Sequence, residues 1–110
     1  MNFNEAWEKI VDYAKSHKYV ETLARHVRND ICDANKTKIV VKSSSPNRTP
    51  TKRELERKDF EYVWNKLVLN RSVSSKNISP TLIGKRLIIL ALMARALNLR
   101  YEGNPVTIYF

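Results

Sequence analysis

Residues 36–55 read Lys36-Thr-Lys-Ile-Val-Val-Lys-Ser-Ser-Ser-Pro-Asn-Arg-Thr-Pro-Thr-Lys-Arg-Glu-Leu55, and the chain continues through Phe60-Glu-Tyr-Val-Trp-Asn-Lys-Leu67. Lys38-Ile-Val-Val-Lys42 is a β-branched run bounded by turn residues, which reads as a strand buried on at least one face. Two prolines in Ser43–Pro50 make the following segment a loop of limited freedom. Thr51 and Glu54 are spaced as a capping box, and Thr49 followed by Pro50 is nearly as good, so a helix is expected to start here. Phe60, Val63, Trp64, Leu67 and Val68, with Leu55 one turn earlier, give that helix its apolar stripe.

Nearer the N-terminus, Asn4 is placed as an N-cap, and Ala6, Trp7, Ile10, Val11 and Ala14 follow at helical spacing, predicting a helix over 5–17 with Trp7 and Ile10 in the core. Residues 19–33 can be read two ways: Val20, Leu23, Ala24, Val27 and Ile31 fit a helical stripe, Val27, Asn29 and Ile31 fit strand alternation loosely, and the count of matches favours helix; either element stops at the turn residues Asp30, Asp33 and Asn35. Residues 70–79 read as a Ser-rich loop. Ser79 and Pro80 then open a last helix, with Ile78 and Ile83 placed for a hydrophobic staple and Asn98 as its C-cap. From Leu82 to Leu97 that helix is apolar on nearly every face, as a central core helix or one covered by a second subunit would be. Leu99–Tyr101 and Val106–Phe110 read as a closing hairpin with a four-residue loop. The expected fold is a single α+β domain over 1–110: three main helices around the apolar late helix, with a small sheet formed by the Ile39 strand and the C-terminal hairpin.

A chain of 110 residues buries roughly two-thirds of its extended surface, enough for one modest core. Two glycines argue against a turn-rich sandwich or barrel. Cys32 is the only cysteine, so no intramolecular disulfide forms; it is expected as a small buried apolar residue in a reducing compartment. No signal-peptide pattern opens the chain, and the longest apolar run, Leu87–Ala94, is far short of the ~20 residues needed to cross a bilayer. The expectation is a cytoplasmic protein with no membrane partner.

Net charge is +9, from 20 basic and 11 acidic residues, and its distribution carries the functional argument. Residues 1–33 hold five basic and six acidic side chains. Ala34–Arg53 holds six basic residues and no acid, and Tyr62–Tyr101 holds seven with no acid. Surfaces that serve only solubility intersperse both signs, so two acid-free stretches point to a polyanion. Lys42, Ser44, Arg48, Lys52 and Arg53 in the first stretch, and Arg71, Lys76, Lys85 and Arg86 in the second, supply the hydroxyls and cations that bind phosphate oxygens. If both stretches share one face, that face suits a duplex or a folded RNA, and the C-terminal hairpin would stand as the wing of a winged-helix domain.

Catalytic signatures are missing from the sequence. It contains no G-x-S-x-G, H-x-E or paired-cysteine pattern, and neither Gly84 nor Gly103 lies in a glycine-rich phosphate loop. Glu56-Arg-Lys58 has the spacing of a nuclease E-x-K, but on a helix surface it is an ordinary solvated face. His17 is expected at a helix end, and His26 with Asp30 and Asp33 lacks a closing set of metal ligands. No metal or cofactor is implied.

Ile39-Val-Val-Lys-Ser-Ser-Ser45, then Arg48, then Asp59-Phe-Glu-Tyr-Val-Trp64, followed by a late apolar helix and a short terminal strand, resembles small DNA-binding modules that accompany restriction-type nucleases and other phage-defence proteins. The resemblance implies DNA as partner and assigns no individual residue. The leading expectation is therefore a non-enzymatic module that binds DNA before RNA, mainly through phosphates. Its rival is a small viral or host protein-interaction or inhibitor module using its basic face on an acidic partner. A third reading is a metal-dependent nuclease using Glu54, Glu56, Asp59 or Glu61. The apolar late helix also suggests a homodimer.

Overall fold

A computed structural model describes residues 1–43 and 51–110. Helix α1 (Phe3–Ser16) begins two residues earlier than the sequence implies, because Asn2 and not Asn4 is the cap: Glu5 N–H donates to Asn2 Oδ1 at 2.9 Å. Asn4 Oδ1 instead accepts from Arg57 Nη2. Phe3, Ala6, Trp7, Ile10, Val11 and Ala14 form the buried stripe expected of the spacing. The helix ends at His17, whose extended backbone stops it and whose ring stacks on Tyr13 at 3.8 Å.

Residues 19–33 are not helical. They form β1 (Tyr19–Glu21), a turn, and most of β2 (Arg28–Ala34). Of the proposed helical stripe, Val20 and Leu23 are buried but Ala24 and Val27 are exposed, so the periodicity was fortuitous. β3 (Lys38–Ser43) matches the expected strand, and β4 (Lys52–Glu56) follows where a helix start was expected. Tertiary pairing outweighs the Thr51–Glu54 capping pattern: Leu55 lies opposite Ile39, both with no exposed surface, and each such side chain contributes about 1.5–3 kcal/mol on burial. The four strands form one antiparallel sheet in the order β1-β2-β3-β4, with a bulge at Cys32, which is exposed and not buried.

Helix α2 (Arg57–Asn70) starts with a different capping box, Glu56 with Asp59, in which Glu56 N–H donates to Asp59 Oδ2 at 3.1 Å. It buries Phe60, Val63, Trp64 and Leu67 as the sequence implies, while Val68 is exposed. The expected loop after it contains β5 (Ser72–Ser74) and a 3-10 turn (Ser75–Asn77). Ser79 and Pro80 do open a helical turn, but only a 3-10 turn (Pro80–Leu82). Gly84, at φ +84°, breaks it, and α3 (Arg86–Leu97) begins beyond; Ile83 is exposed, so no staple with Ile78 forms. Asn98 caps α3 in the left-handed conformation.

β6 (Arg100–Glu102) and β7 (Thr107–Tyr109) form the expected hairpin, but its outer partner is β5 in a second sheet ordered β5-β7-β6. The Ile39 strand and the hairpin therefore belong to different sheets. The described residues form a mixed α+β fold of three helices and two small antiparallel sheets. Helix α3 buries Ile88–Ala94 against α1, β1 and β7, while Leu87 in its first turn stays partly exposed. Phe110, Trp64, Phe3, Trp7 and Phe60 make a run of ring contacts at 5.1–6.4 Å that ties the chain end to α2 and α1. Trp7 Nε1–H also donates to the Lys36 carbonyl at 2.8 Å, fastening α1 to the β2–β3 turn. Among the described residues, no helix is long and apolar enough to cross a membrane.

Candidate nucleic-acid interface

Alternation along the first sheet decides where its charges go. Ile39, Val41 and Leu55 face the core, so Lys38, Val40 and Lys42 of β3 face outward with Lys52, Glu54 and Glu56 of β4. Lys38 lies opposite Glu56 and pairs with Glu54 at 2.9 Å, and Asp33 stands across from Val40. The Lys38–Glu54 hydrogen bond raises the lysine's pKa and lowers the glutamate's. The first acid-free stretch is thus partly neutralised by strand partners remote in sequence. What survives is its far end, where Lys42 lies directly opposite Lys52. Like charges facing one another across a strand pair are destabilising, and the neighbour Asp30 already pairs with Arg28 at 2.9 Å.

Arg53 behaves differently from its neighbours. Its Cα partner is Val41, so it leaves the inner face of the sheet and runs to the turn before α3. A Cβ at Gly84 would sit 2.6 Å from Arg53 Nη1 and 2.9 Å from Cζ, so the guanidinium occupies the space a side chain there would need. The same turn brings Lys85 close enough to Glu54 to help lower that carboxylate's pKa, after the larger effect of Lys38. Helix α3 then opens at Arg86 with no acidic residue in its first turn, leaving its positive end uncompensated. Lys42, Lys52, Arg53, Lys85 and Arg86 are accordingly drawn from both acid-free stretches to one end of the molecule.

Two predicted residues are placed elsewhere. Arg71 ends α2 in the left-handed conformation, φ 64°, with its guanidinium 5.8 Å over the Phe110 ring and its carbonyl accepting from Phe110 N–H at 2.9 Å. It stands a helix length, roughly 21 Å at 1.5 Å per residue, from Glu56 at the end of β4. Lys76 lies in the 3-10 turn after β5. Both belong with the second sheet. Ser44 and Arg48 lie outside the described residues.

Sequence reasoning missed the β1–β2 turn, which completes this end. Thr22 is buried and organises it: Val27 N–H donates to Thr22 Oγ1 at 2.9 Å, while His26 N–H donates to the Thr22 carbonyl at 3.1 Å. Asn29, also buried, donates from Nδ2 to the Val27 carbonyl at 3.2 Å. These bonds hold Arg25 out at the turn, beside a cleft of about 430 Å³ whose opposite side is Arg53, Gly84 and Leu87. The available signal was the run Arg25-His-Val-Arg-Asn-Asp30, polar at five of its six positions, which reads better as a turn and an exposed strand start than as a helix face.

Three of the four carboxylates considered for nuclease chemistry have structural partners, while Glu61 is exposed on α2. Glu54 binds Lys38, Glu56 pairs with Lys58 at 3.3 Å and caps α2, and Asp59 is buried in the same cap. Among the described residues, no three His, Cys, Asp or Glu side chains come together in a way that could hold a metal ion. Comparison of the chain with protein-family models, with curated proteins and with solved structures finds no match.

Proposed function

We propose that the protein is a nucleic-acid-binding module that grips phosphates with the end of the molecule built by Lys42, Lys52, Arg53, Lys85 and Arg86. The observation that carries this reading is the seat of the Arg53 guanidinium on Gly84, which joins the two basic segments at one place. Facing lysines at 42 and 52, and a helix end without acidic residues, reinforce it. Each is a local cost or an uncompensated charge in the free protein that an anion relieves. DNA is the first ligand to try, on the resemblance of residues 39–64 to DNA-binding modules. A winged-helix mode, with β6–β7 as wing, would instead recruit Lys76 and Arg100; it is the weaker form, since α3 buries Ile88–Ala94 and offers no polar groove-facing side.

Salt-titrated fluorescence anisotropy on a labelled DNA duplex tests the reading. The affinity should fall with salt along a slope of about −0.9 per phosphate contact. Lys52→Glu with Lys85→Glu should remove most of the binding, and Arg71→Glu with Lys76→Glu much less. Binding that ignores salt, or equal losses from the two pairs, would defeat the assignment.

A further inference from the structure

We infer that the cleft between the β1–β2 turn and the start of α3 holds one unpaired nucleotide, with its base against Val27 and Leu87 and its phosphates on Arg25 and Arg53. This rests on the nucleic-acid reading above and narrows it to strands that can present a base outside a duplex.

Size comes first. At about 430 Å³ the cleft lies within the range of small-ligand sites, roughly 300–1,000 Å³, and is far smaller than a duplex footprint. Its wall is apolar and wet: Val27 is 43% exposed and Leu87 38%, with Ile88 behind them. Its charge is one-sided, because among the described residues both ionisable groups lining it are arginines. Neither Arg25 nor Arg53 takes part in an ion pair among the described residues, although Arg53 is partly buried and fixed on Gly84. Guanidinium groups left unpaired around a small cleft are built for a phosphate-like anion, which they can meet with two parallel hydrogen bonds.

A polar edge completes the pattern. Ser43 lines the cleft, and its Oγ, which accepts from Thr51 N–H at 3.5 Å, keeps a proton to donate to a base edge. A nucleotide offers a phosphate, the flat face of its base and the hydrogen-bonding edge of that base, and the cleft lining supplies arginine, apolar wall and hydroxyl to meet the three. Bases inside a duplex are stacked and cannot reach such a wall, so the ligand must offer one unpaired.

Anisotropy with three fluorescein-labelled DNA probes at one salt concentration tests this: an unbroken duplex, the same duplex with one extra unpaired nucleotide, and that bulged duplex with an abasic residue at the bulge. The bulged probe should bind about tenfold more tightly than the unbroken one, near the lower end of what one stacked base contributes, and the abasic probe should lose that gain. Leu87→Ser, or Val27→Ser if the first variant unfolds by circular dichroism, should lower the affinity for the bulged probe alone. Arg53→Gln should lower it for all three. Equal affinity for bulged and unbroken duplexes, or for bulged and abasic ones, overturns the inference while leaving phosphate binding intact. Failure of every probe at low salt overturns both. Binding of a Leu- and Glu-rich peptide that Arg53→Gln abolishes, with no bulge preference, would assign the cleft to an acidic protein instead.

Discussion

Gly84→Ala should damage the protein in two separable ways, and the structure sets the size of each. Gly84 has φ +84°, a conformation in which an L side chain costs about 1–2 kcal/mol. For a domain of this length that is a fall in Tm of roughly 5–10 °C. The new methyl would also stand 2.6 Å from Arg53 Nη1, 2.9 Å from Cζ and 3.2 Å from Nη2, all inside ordinary contact distance. Since those atoms end a flexible side chain, the clash is relieved by moving the guanidinium and adds little to the stability loss. The displacement should appear in binding. A charge-assisted hydrogen bond contributes about 1.5–3 kcal/mol, or about tenfold to a hundredfold in affinity for a DNA duplex. Thermal unfolding and anisotropy on Gly84→Ala, Arg53→Ala and the double variant form a cycle. The stability loss should persist in the Arg53→Ala background, and the affinity loss should not increase. Full additivity of the two affinity losses would refute the coupling between Arg53 and Gly84. A Tm unchanged from the parent would refute the strained turn.

Leu55→Ala should cost about 2–5 kcal/mol in urea unfolding, because the side chain fills the inner face opposite Ile39; a loss below about 1 kcal/mol would argue that 52–56 is not a paired strand. Glu54→Gln tests the Lys38 pair through pH. Because Glu54 titrates lower in the folded protein, the pair's stabilisation is present above the ordinary glutamate range and disappears as pH falls through the depressed value. The Tm difference between parent and variant should therefore be small, shrink with added salt and vanish in acid; a difference that grew on acidification would contradict the pairing. Tyr109 donates to Glu102 at 3.1 Å, which raises its pKa, so Glu102→Gln should let one tyrosine ionise at lower pH in an ultraviolet titration.

Helices with a strong one-sided stripe were legible in the sequence. Helix α1 and the Phe60–Leu67 face of α2 follow directly from spacing, and Asn98 and the closing hairpin from turn chemistry. Short strands were not. Val20 and Leu23 satisfy a helical stripe as well as a strand with its turn, and only pairing of Val20 with Asn29 separates the two. Thr51 and Glu54 have the right side chains for a cap, yet Leu55 gains more by packing opposite Ile39, so the cap role passes to Glu56 and Asp59. The site was legible as composition and not as geometry. Lys42, Lys52, Arg53 and Lys85 stand out as basic residues, but cross-strand acids that cancel Lys38, and the Arg25 turn that completes the cleft, are set by register alone.

The packing of α1 on α3 has a consequence for how the chain assembles. β2, β3 and β4 pair with sequence neighbours, so the meander can zip up through short loops. Its inner face, with Ile39, Val41 and Leu55, nonetheless stays open until segments from opposite ends of the chain meet over the core. Closing that long loop carries an entropy cost that no local contact offsets, which makes the docking of α1 against α3 the natural slow step. Substitutions such as Ala6→Gly in α1 or Ala91→Gly in α3, both at fully buried positions, should slow folding, whereas equal destabilisation in the second sheet should chiefly speed unfolding.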